Sequence, residues 1–140
     1  MSARPGTALI TGASGGIGAV YADRLAKRGY DLVLVARDRA RMEAVSDRLK
    51  GVGSKIEILV ADLTKENDLS AVEARLGMGD ISLLVNNAGM SLKGSLLENG
   101  GAEISKIIAL NITAPARLAA TAAKAFVKTG QGAVINISSV

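Results

Sequence analysis

The chain has 140 residues, of which 49% are apolar and 21% charged, and its net charge is +4. This length and composition predict one globular domain, 1–140, and are too apolar for a disordered chain. The sequence contains neither Cys nor His, which excludes disulfides, a thiolate nucleophile, thiolate or imidazole metal ligands and an imidazole general base. We therefore expect no metal site, and chemistry that depends on hydroxyls, carboxylates, Lys, Arg, amides or a bound cofactor.

The positive charge suits a small acidic ligand and is only a weak argument for nucleic acid. Basic residues in segment 37–48 alternate with acidic ones, which is typical of a solvated helix face. The chain also offers no aromatic platform on which bases would stack. No stretch has the pattern of a membrane span or a signal peptide. We therefore expect a cytoplasmic protein with a small-molecule partner, without nucleic acid or membrane.

Five short apolar segments alternate with segments of helical periodicity along the chain. The predicted strands lie at 8–10, 31–36, 55–61, 81–85 and 132–137. The predicted helices lie at 17–28, 38–49, 64–76 and 102–128. We expect Thr64 to cap the third helix and the fourth to be disturbed near Pro115. Strands separated by helices predict an α/β fold, a Rossmann-type doubly wound parallel sheet with helices on both faces.

A glycine-rich segment between the first predicted strand and the first helix is the strongest signal for a ligand site. It reads Thr-Gly-Ala-Ser-Gly-Gly-Ile-Gly over 11–18, with the spacing Gly-x-x-x-Gly-x-Gly. Glycines here allow a tight turn in which backbone amides approach a pyrophosphate at the helix N-terminus. A strand-to-helix turn also needs glycine for structural reasons alone, so this segment by itself does not decide the matter.

Three further segments decide it, because each lies at the C-terminal end of a predicted strand, where doubly wound folds bind their ligands. They are Asp62-Leu63, Asn86-Asn87-Ala88-Gly89 and Asn136-Ile137-Ser138-Ser139. Together with 11–18 they resemble the short-chain dehydrogenase/reductase family over essentially the whole chain. The resemblance implies the strand order 3-2-1-4-5 and a hydride transfer between NAD(H) or NADP(H) and a carbonyl/alcohol substrate.

The resemblance also implies which residues contact the cofactor. They are Gly12, Ser14, Gly15, Gly16, Ile17 and Gly18 at the pyrophosphate and ribose, Asp62 and Leu63 at the adenine, and Asn87, Ala88 and Gly89 beyond the fourth strand. Asn86, in the same motif, is equally well interpreted as a structural residue that secures its strand by hydrogen bonds.

Asn111 and Ser139 are the catalytic residues that the resemblance implies. Asn111 falls where the family has an Asn that helps to hold a water for proton relay, although such a residue also supports a helix kink. Ser139 would hydrogen-bond the substrate oxygen, and the adjoining Ser138 is the alternative because side chains alternate faces along a strand. The family's proton donor, the Tyr of a Tyr-x-x-x-Lys motif, has no match, since neither Tyr21 nor Tyr30 is followed by Lys four residues later.

The end of the second predicted strand indicates the cofactor. An acidic residue there usually bonds the ribose 2′-hydroxyl of NAD, whereas Arg accommodates the 2′-phosphate of NADP. This strand ends in Ala36-Arg37, which favours NADP over NAD, unless Arg37 only opens the solvated face of the next helix. Gly15 departs from many NADP-preferring relatives, which carry a second basic residue at that position.

The leading hypothesis is therefore the cofactor-binding part of an NADP-dependent short-chain oxidoreductase. We expect this part to be truncated after the fifth strand and inactive alone, because it lacks the Tyr/Lys pair. The alternative is a dinucleotide-binding module without catalysis, used as a sensor or scaffold. Relatives use the long helix in dimer contacts, so the resemblance also implies a homodimer or homotetramer.

Overall fold

The computed structural model describes residues 3–139, so Met1, Ser2 and Val140 of the predicted domain lie outside the described residues. Its strands are β1 (Thr7–Thr11), β2 (Asp31–Ala36), β3 (Ile56–Val60), β4 (Ile81–Asn86) and β5 (Ala133–Asn136). Its α-helices are α1 (Gly16–Lys27), α2 (Arg39–Arg48), α3 (Glu66–Leu76), α4 (Gly101–Ile108) and α5 (Ala114–Thr129). The strands form a parallel sheet in the order β3-β2-β1-β4-β5, which confirms the predicted fold class and topology.

The sheet separates two apolar cores, because successive side chains of a strand point to opposite faces. On one face Ile10 and Leu34 pack with Met42 of α2, and on the other Leu9 packs with Leu118 of α5. All five side chains are fully buried, and burial of each contributes about 1.5–3 kcal/mol relative to exposure. Strands covered on both faces explain the continuous apolar runs in the sequence.

The position of β1 in the middle of the sheet creates a crevice at one edge. β1 pairs with β2 on one side and with β4 on the other, so the direction of the crossover connections reverses between β1 and β4. In open parallel sheets, ligands bind at this switch point, outside the carboxyl ends of the strands. Thr11 and Asn86 are the last residues of the two strands, and the glycine-rich segment follows Thr11 directly.

Two details of the helices differ from the sequence prediction. Thr64 does not cap α3, because Lys65 is the N-cap residue and the Thr64 hydroxyl instead donates to Asp62 Oδ1 at 2.6 Å. The long helix is divided into α4 and α5 by a π-helical turn over Ala109–Thr113, so the irregularity precedes Pro115. Pro115 itself lies in the first turn of α5, where its missing N–H breaks no helical hydrogen bond.

Candidate functional site

Two adjoining clefts open along the carboxyl ends of the strands. The first cleft, of about 340 Å³, is lined by residues that follow β1, β2 and β3, by segment 87–90 and by residues of α2 and α4. The second cleft, of about 820 Å³, is lined by segment 86–91, by Asn111, by the start of α5 and by the residues at the end of β5. Segment 87–90 lines both clefts, so they form one continuous groove across the switch point.

The sequence-predicted site residues are brought together along this groove, with two exceptions. Those that line the first cleft are Gly12, Ser14, Gly15, Arg37, Asp62, Leu63, Asn87, Ala88 and Gly89. Those that line the second cleft are Ile17, Asn87, Ala88, Gly89, Asn111 and Ser139, together with the alternative Ser138. Gly16 and Gly18 line neither cleft, and their roles lie in the backbone of the turn itself.

The turn between β1 and α1 needs glycine at specific positions. Gly12 and Gly16 have φ values of 64° and 53°, which place them in the left-handed region that residues with a Cβ rarely adopt. A Cβ added to Gly18 would overlap the carbonyl oxygen of Gly12 and lie 2.7 Å from Asn87 Nδ2. The glycine at position 18 therefore allows α1 to pack directly against the preceding turn.

The N-terminus of α1 faces the groove without a side-chain cap. Gly15 is its N-cap residue, no side chain accepts a hydrogen bond there, and the first turn contains no acidic residue. The next helix differs, because Asp38 Oδ1 accepts a hydrogen bond from the Arg41 amide at 3.0 Å. A Cβ added to Gly16 would meet nothing within 4 Å, so there is open space beside the free amides. These features fit a bound anion such as a pyrophosphate.

Hydrogen bonds attach the segment after β4 to the glycine-rich turn. The buried Thr11 hydroxyl accepts from the amides of Asn87 and Ala88, each at 3.0 Å, and donates to the Val85 carbonyl at 3.4 Å. Asn87 Nδ2 donates to the carbonyls of Thr11 and Gly12, each at 3.2 Å. The Asn87 side chain thus holds the two walls of the groove together, and its neighbour Ala88 lines both clefts.

Asn86 makes the structural contacts that one of its two sequence interpretations expects. Its side chain is buried, and Nδ2 donates to the Pro115 carbonyl and to Asn136 Oδ1, both at 3.1 Å. These bonds connect β4 to α5 and β5. Ser138 and Ser139, which follow shortly after β5, line the second cleft.

The Asn111 side chain makes two hydrogen bonds with the backbone of one residue across the groove, Met90. It lies in the π-helical turn, its Oδ1 accepts from the Met90 amide at 2.9 Å, and its Nδ2 donates to the Met90 carbonyl at 2.7 Å. This pair of hydrogen bonds fixes segment 87–90 from the side opposite to Thr11. Single π-helical turns inside helices occur frequently at functional sites, and here the turn directs Asn111 towards the second cleft.

Asp62 carries a negative charge at the edge of the first cleft. The Thr64 hydroxyl and amide donate to Asp62 Oδ1 at 2.6 and 3.0 Å. Chiefly through the hydroxyl, and with help from the positive charges of Arg37 and Lys65, these contacts hold the pKa of the Asp62 carboxyl below its usual range. The carboxylate is therefore ionised at neutral pH, and the guanidinium of Arg37 lies close enough to attract it electrostatically.

Several residues of the first cleft have no site role in the sequence analysis. Arg41, Met90, Lys106 and Leu110 line it, and Arg41 is assigned above only to a solvated helix face. Its position in the first turn of α2, shortly after the end of β2, is the signal for its proximity to the first cleft. Within residues 3–139, no group of three or more carboxylates could hold a metal ion.

The sheet is parallel with the order β3-β2-β1-β4-β5, an uncapped helix follows the glycine-rich turn, and a groove lies at the switch point. These features define a Rossmann-type α/β protein. Residues 6–140 match the family model described as short chain dehydrogenase. The chain belongs to that family, as its motifs predict. In the part of the chain that the structure describes, no helix combines the length and hydropathy of a membrane span.

Individual relatives agree with this assignment. Human 17-beta-hydroxysteroid dehydrogenase type 3 is 36% identical over 135 residues, covering 94% of this chain and 44% of that protein. The bulky-bulky ketone specific alcohol dehydrogenase from Comamonas testosteroni is 46% identical with a TM-score of 0.96, covering 99% of this chain and 56% of that one. A short-chain dehydrogenase from Sphingobium yanoikuyae in complex with NADPH is 52% identical with a TM-score of 0.93. The match covers 96% of this chain and 54% of that one. The chain thus spans about half the length of these relatives.

Proposed function

We propose that the chain forms the cofactor-binding part of an NADP(H)-dependent oxidoreductase that acts on a carbonyl/alcohol substrate. The observation that carries this proposal is the end of β2, where Ala36 and Arg37 line the first cleft. Ala36 offers no carboxylate to a ribose 2′-hydroxyl, whereas the guanidinium of Arg37 is suited to a charge-assisted pair with a 2′-phosphate. The Sphingobium yanoikuyae dehydrogenase, which binds NADPH, supports the same choice.

The groove has residues suited to each part of the cofactor. The free amides at the start of α1, with Ser14 and Ile17 beside them, would bind the pyrophosphate and adjacent ribose. Asp62 and Leu63 would contact the adenine, and Ala88 and Gly89 would contact the cofactor where the first cleft joins the second. NADP(H), when bound, supplies or accepts the hydride, and the protein's contribution is to bind and orient it.

The second cleft is the proposed substrate site. Ser139 would donate a hydrogen bond to the substrate oxygen, which stabilises the negative charge that develops there during reduction. Asn111 holds Met90 in place and would thereby position segment 87–90 against the nicotinamide. Asn111 Oδ1 and Nδ2 each keep the capacity for one further hydrogen bond beside those to Met90, so this side chain could also hold a water for proton relay.

We expect Ser139→Ala to lower kcat on the order of 100-fold in the complete protein, because it removes a donor aimed at the reacting oxygen. The dissociation constant for NADPH should stay within about twofold of wild type, since the pyrophosphate and ribose bind elsewhere. Steady-state kinetics and fluorescence titration with NADPH measure the two quantities. Ser138→Ala is the matched control, and an inactive Ser138 variant beside an active Ser139 variant would mean that the other serine contacts the substrate.

Within the 140 residues, no Tyr is followed by Lys four residues later. The same groove would also serve a dinucleotide-binding sensor or scaffold without catalysis, which is the second candidate function. We expect the 140-residue chain by itself to show no NADPH-dependent ketone reduction, because a positioned acid contributes roughly 10²–10⁴-fold to such a rate. NADPH oxidation in the presence of a panel of ketones measures this. Turnover by a chain whose intact mass is near 14.3 kDa would contradict the expectation, whereas inactivity of the complete protein would favour the sensor or scaffold.

A further inference from the structure

Arg41, in the first turn of α2, extends across the glycine-rich turn of the first cleft. A Cβ added to Gly15 would lie 2.9 Å from Arg41 Nη2. The guanidinium of Arg41 therefore fills the space that a side chain at position 15 would need. It lies beside the N-terminus of α1, where the proposed pyrophosphate site begins, and it lines the same cleft as Arg37.

The backbone at position 15 does not require glycine. Gly15 has φ −176° and ψ −174°, an extended conformation that any residue adopts, in contrast to Gly12 and Gly16 with their positive φ. A side chain at position 15 would displace the guanidinium of Arg41, which is the flexible end of that side chain. Glycine at 15 and arginine at 41 are thus a matched pair, in which the absence of one side chain makes room for the other.

The Arg41 guanidinium has no carboxylate partner among residues 3–139, although other cations of the chain do. Arg39, in the same helix turn, lies 3.9 Å from Glu43, and Arg75 and Arg117 bind two carboxylates each. The base of Arg41 is nevertheless held, because its amide donates to Asp38 Oδ1 at 3.0 Å. An unpaired guanidinium at the edge of a cleft is available for an anionic ligand.

Arg37 alone would leave a 2′-phosphate poorly neutralised. A phosphomonoester carries a charge of about −1.5 to −2 near neutral pH, and the positive charge of Arg37 also acts on the ionised Asp62 carboxylate. A second cation is therefore expected beside it. Arg41 is the residue that the structure places there, since its guanidinium lies beside Gly15 and lines the same cleft as Arg37.

We infer that Arg41 is a second ligand of the ribose 2′-phosphate and determines, with Arg37, the preference for NADP(H). This inference rests on the proposed function and deepens it, since it names the residue that completes the 2′-phosphate site. It also assigns a function to Gly15, whose missing side chain allows the Arg41 guanidinium to reach that site.

Isothermal titration of the complete protein with two probes tests the inference without any catalytic step. Adenosine 2′,5′-bisphosphate contains the 2′-phosphate and 5′-AMP lacks it. We expect Arg41→Ala to weaken binding of the bisphosphate about tenfold, the effect of losing one charge-assisted hydrogen bond, and to change 5′-AMP binding less than twofold. Arg39→Ala is the matched control, because it removes the same charge from the same helix turn outside the cleft, and it should bind both probes as wild type does.

Gly15→Ala provides an independent route to the same answer. Its methyl group would displace the Arg41 guanidinium, so it should weaken bisphosphate binding in the wild-type background and have little further effect when combined with Arg41→Ala. Such non-additivity is the signature of two residues that act on one contact. Equal effects of Gly15→Ala in both backgrounds would overturn the coupling.

The outcomes separate this inference from the proposed function. If wild type binds the bisphosphate more tightly than 5′-AMP, and Arg37→Ala removes that difference while Arg41→Ala keeps it, the role of Arg41 is wrong and the NADP(H) proposal stands. If wild type binds the two probes equally, the NADP(H) proposal is wrong, and so is the role of Arg41 that rests on it. If Arg37→Ala and Arg41→Ala each remove the difference in affinity between the bisphosphate and 5′-AMP, the result supports the NADP(H) proposal and the role of Arg41.

Discussion

The double substitution Ala36→Asp with Arg37→Ala is expected to invert the cofactor preference of the complete protein from NADPH to NADH. The new carboxylate would accept a hydrogen bond from the ribose 2′-hydroxyl and repel a 2′-phosphate, while the loss of Arg37 removes a charge-assisted pair. A charged hydrogen bond contributes about 1.5–3 kcal/mol, and like-charge juxtaposition costs several more. The ratio of kcat/KM for NADPH to that for NADH should therefore fall by on the order of 10³-fold.

A matched control is available at the start of α2, in Arg39 and Ala40. Ala40→Asp with Arg39→Ala makes the same change of charge at exposed positions of α2 that do not line the first cleft. This control should leave the ratio within about twofold of wild type, because neither side chain lines the cleft. If the double substitution Ala36→Asp with Arg37→Ala leaves this ratio unchanged, the end of β2 does not determine the cofactor preference.

Gly18→Val is expected to abolish cofactor binding and to destabilise the fold. The first consequence is a steric overlap within the protein itself. A Cβ at this position overlaps the carbonyl oxygen of Gly12 and approaches Asn87 Nδ2, so the turn and α1 must separate. That movement breaks the bond from Asn87 to Gly12 and displaces the amides at the helix N-terminus.

We expect a loss of about 3 kcal/mol in the free energy of unfolding, at the upper end for overpacked positions, and at least 100-fold weaker NADPH binding, since 1.4 kcal/mol is tenfold in affinity. Chemical denaturation and fluorescence titration measure the two effects. Gly101→Val is the control, because a Cβ at the start of α4 would meet nothing within 4 Å. Wild-type stability and affinity in the Gly18 variant would mean that the glycine-rich turn is not the phosphate site.

The architecture was predictable from local sequence patterns. The apolar runs at 31–36 and 81–85 predict strands buried on both faces, and both coincide with observed strands. The order of motifs along the chain places the site residues after successive strands, and parallel strands bring those positions to one edge. Hydrophobic periodicity and glycine spacing act over a few residues, so the sequence carries this information directly.

The contacts that shape the groove were decided only by tertiary structure. Thr64 has the chemistry of a helix cap, yet its hydroxyl donates to Asp62 because the path of the chain after β3 brings that carboxylate closer. Asn111 binds Met90, 21 residues away, because the π-helical turn rotates it towards the groove. Arg41 has the pattern of a solvated helix residue, and its contact with Gly15 arises from the way α2 lies beside the β1–α1 turn.

The sequence by itself thus determined the five strands, the first three helices, the parallel sheet and the edge at which the predicted site residues meet. The tertiary structure decided which side chains hold the groove in shape, why Gly18 must lack a side chain, and that a second arginine reaches the first cleft. The physical reason is the separation along the chain of the residues that interact. Strand and helix formation depend on near neighbours in the chain, whereas the end of a long side chain such as that of Arg41 takes its place only when separate elements have packed together.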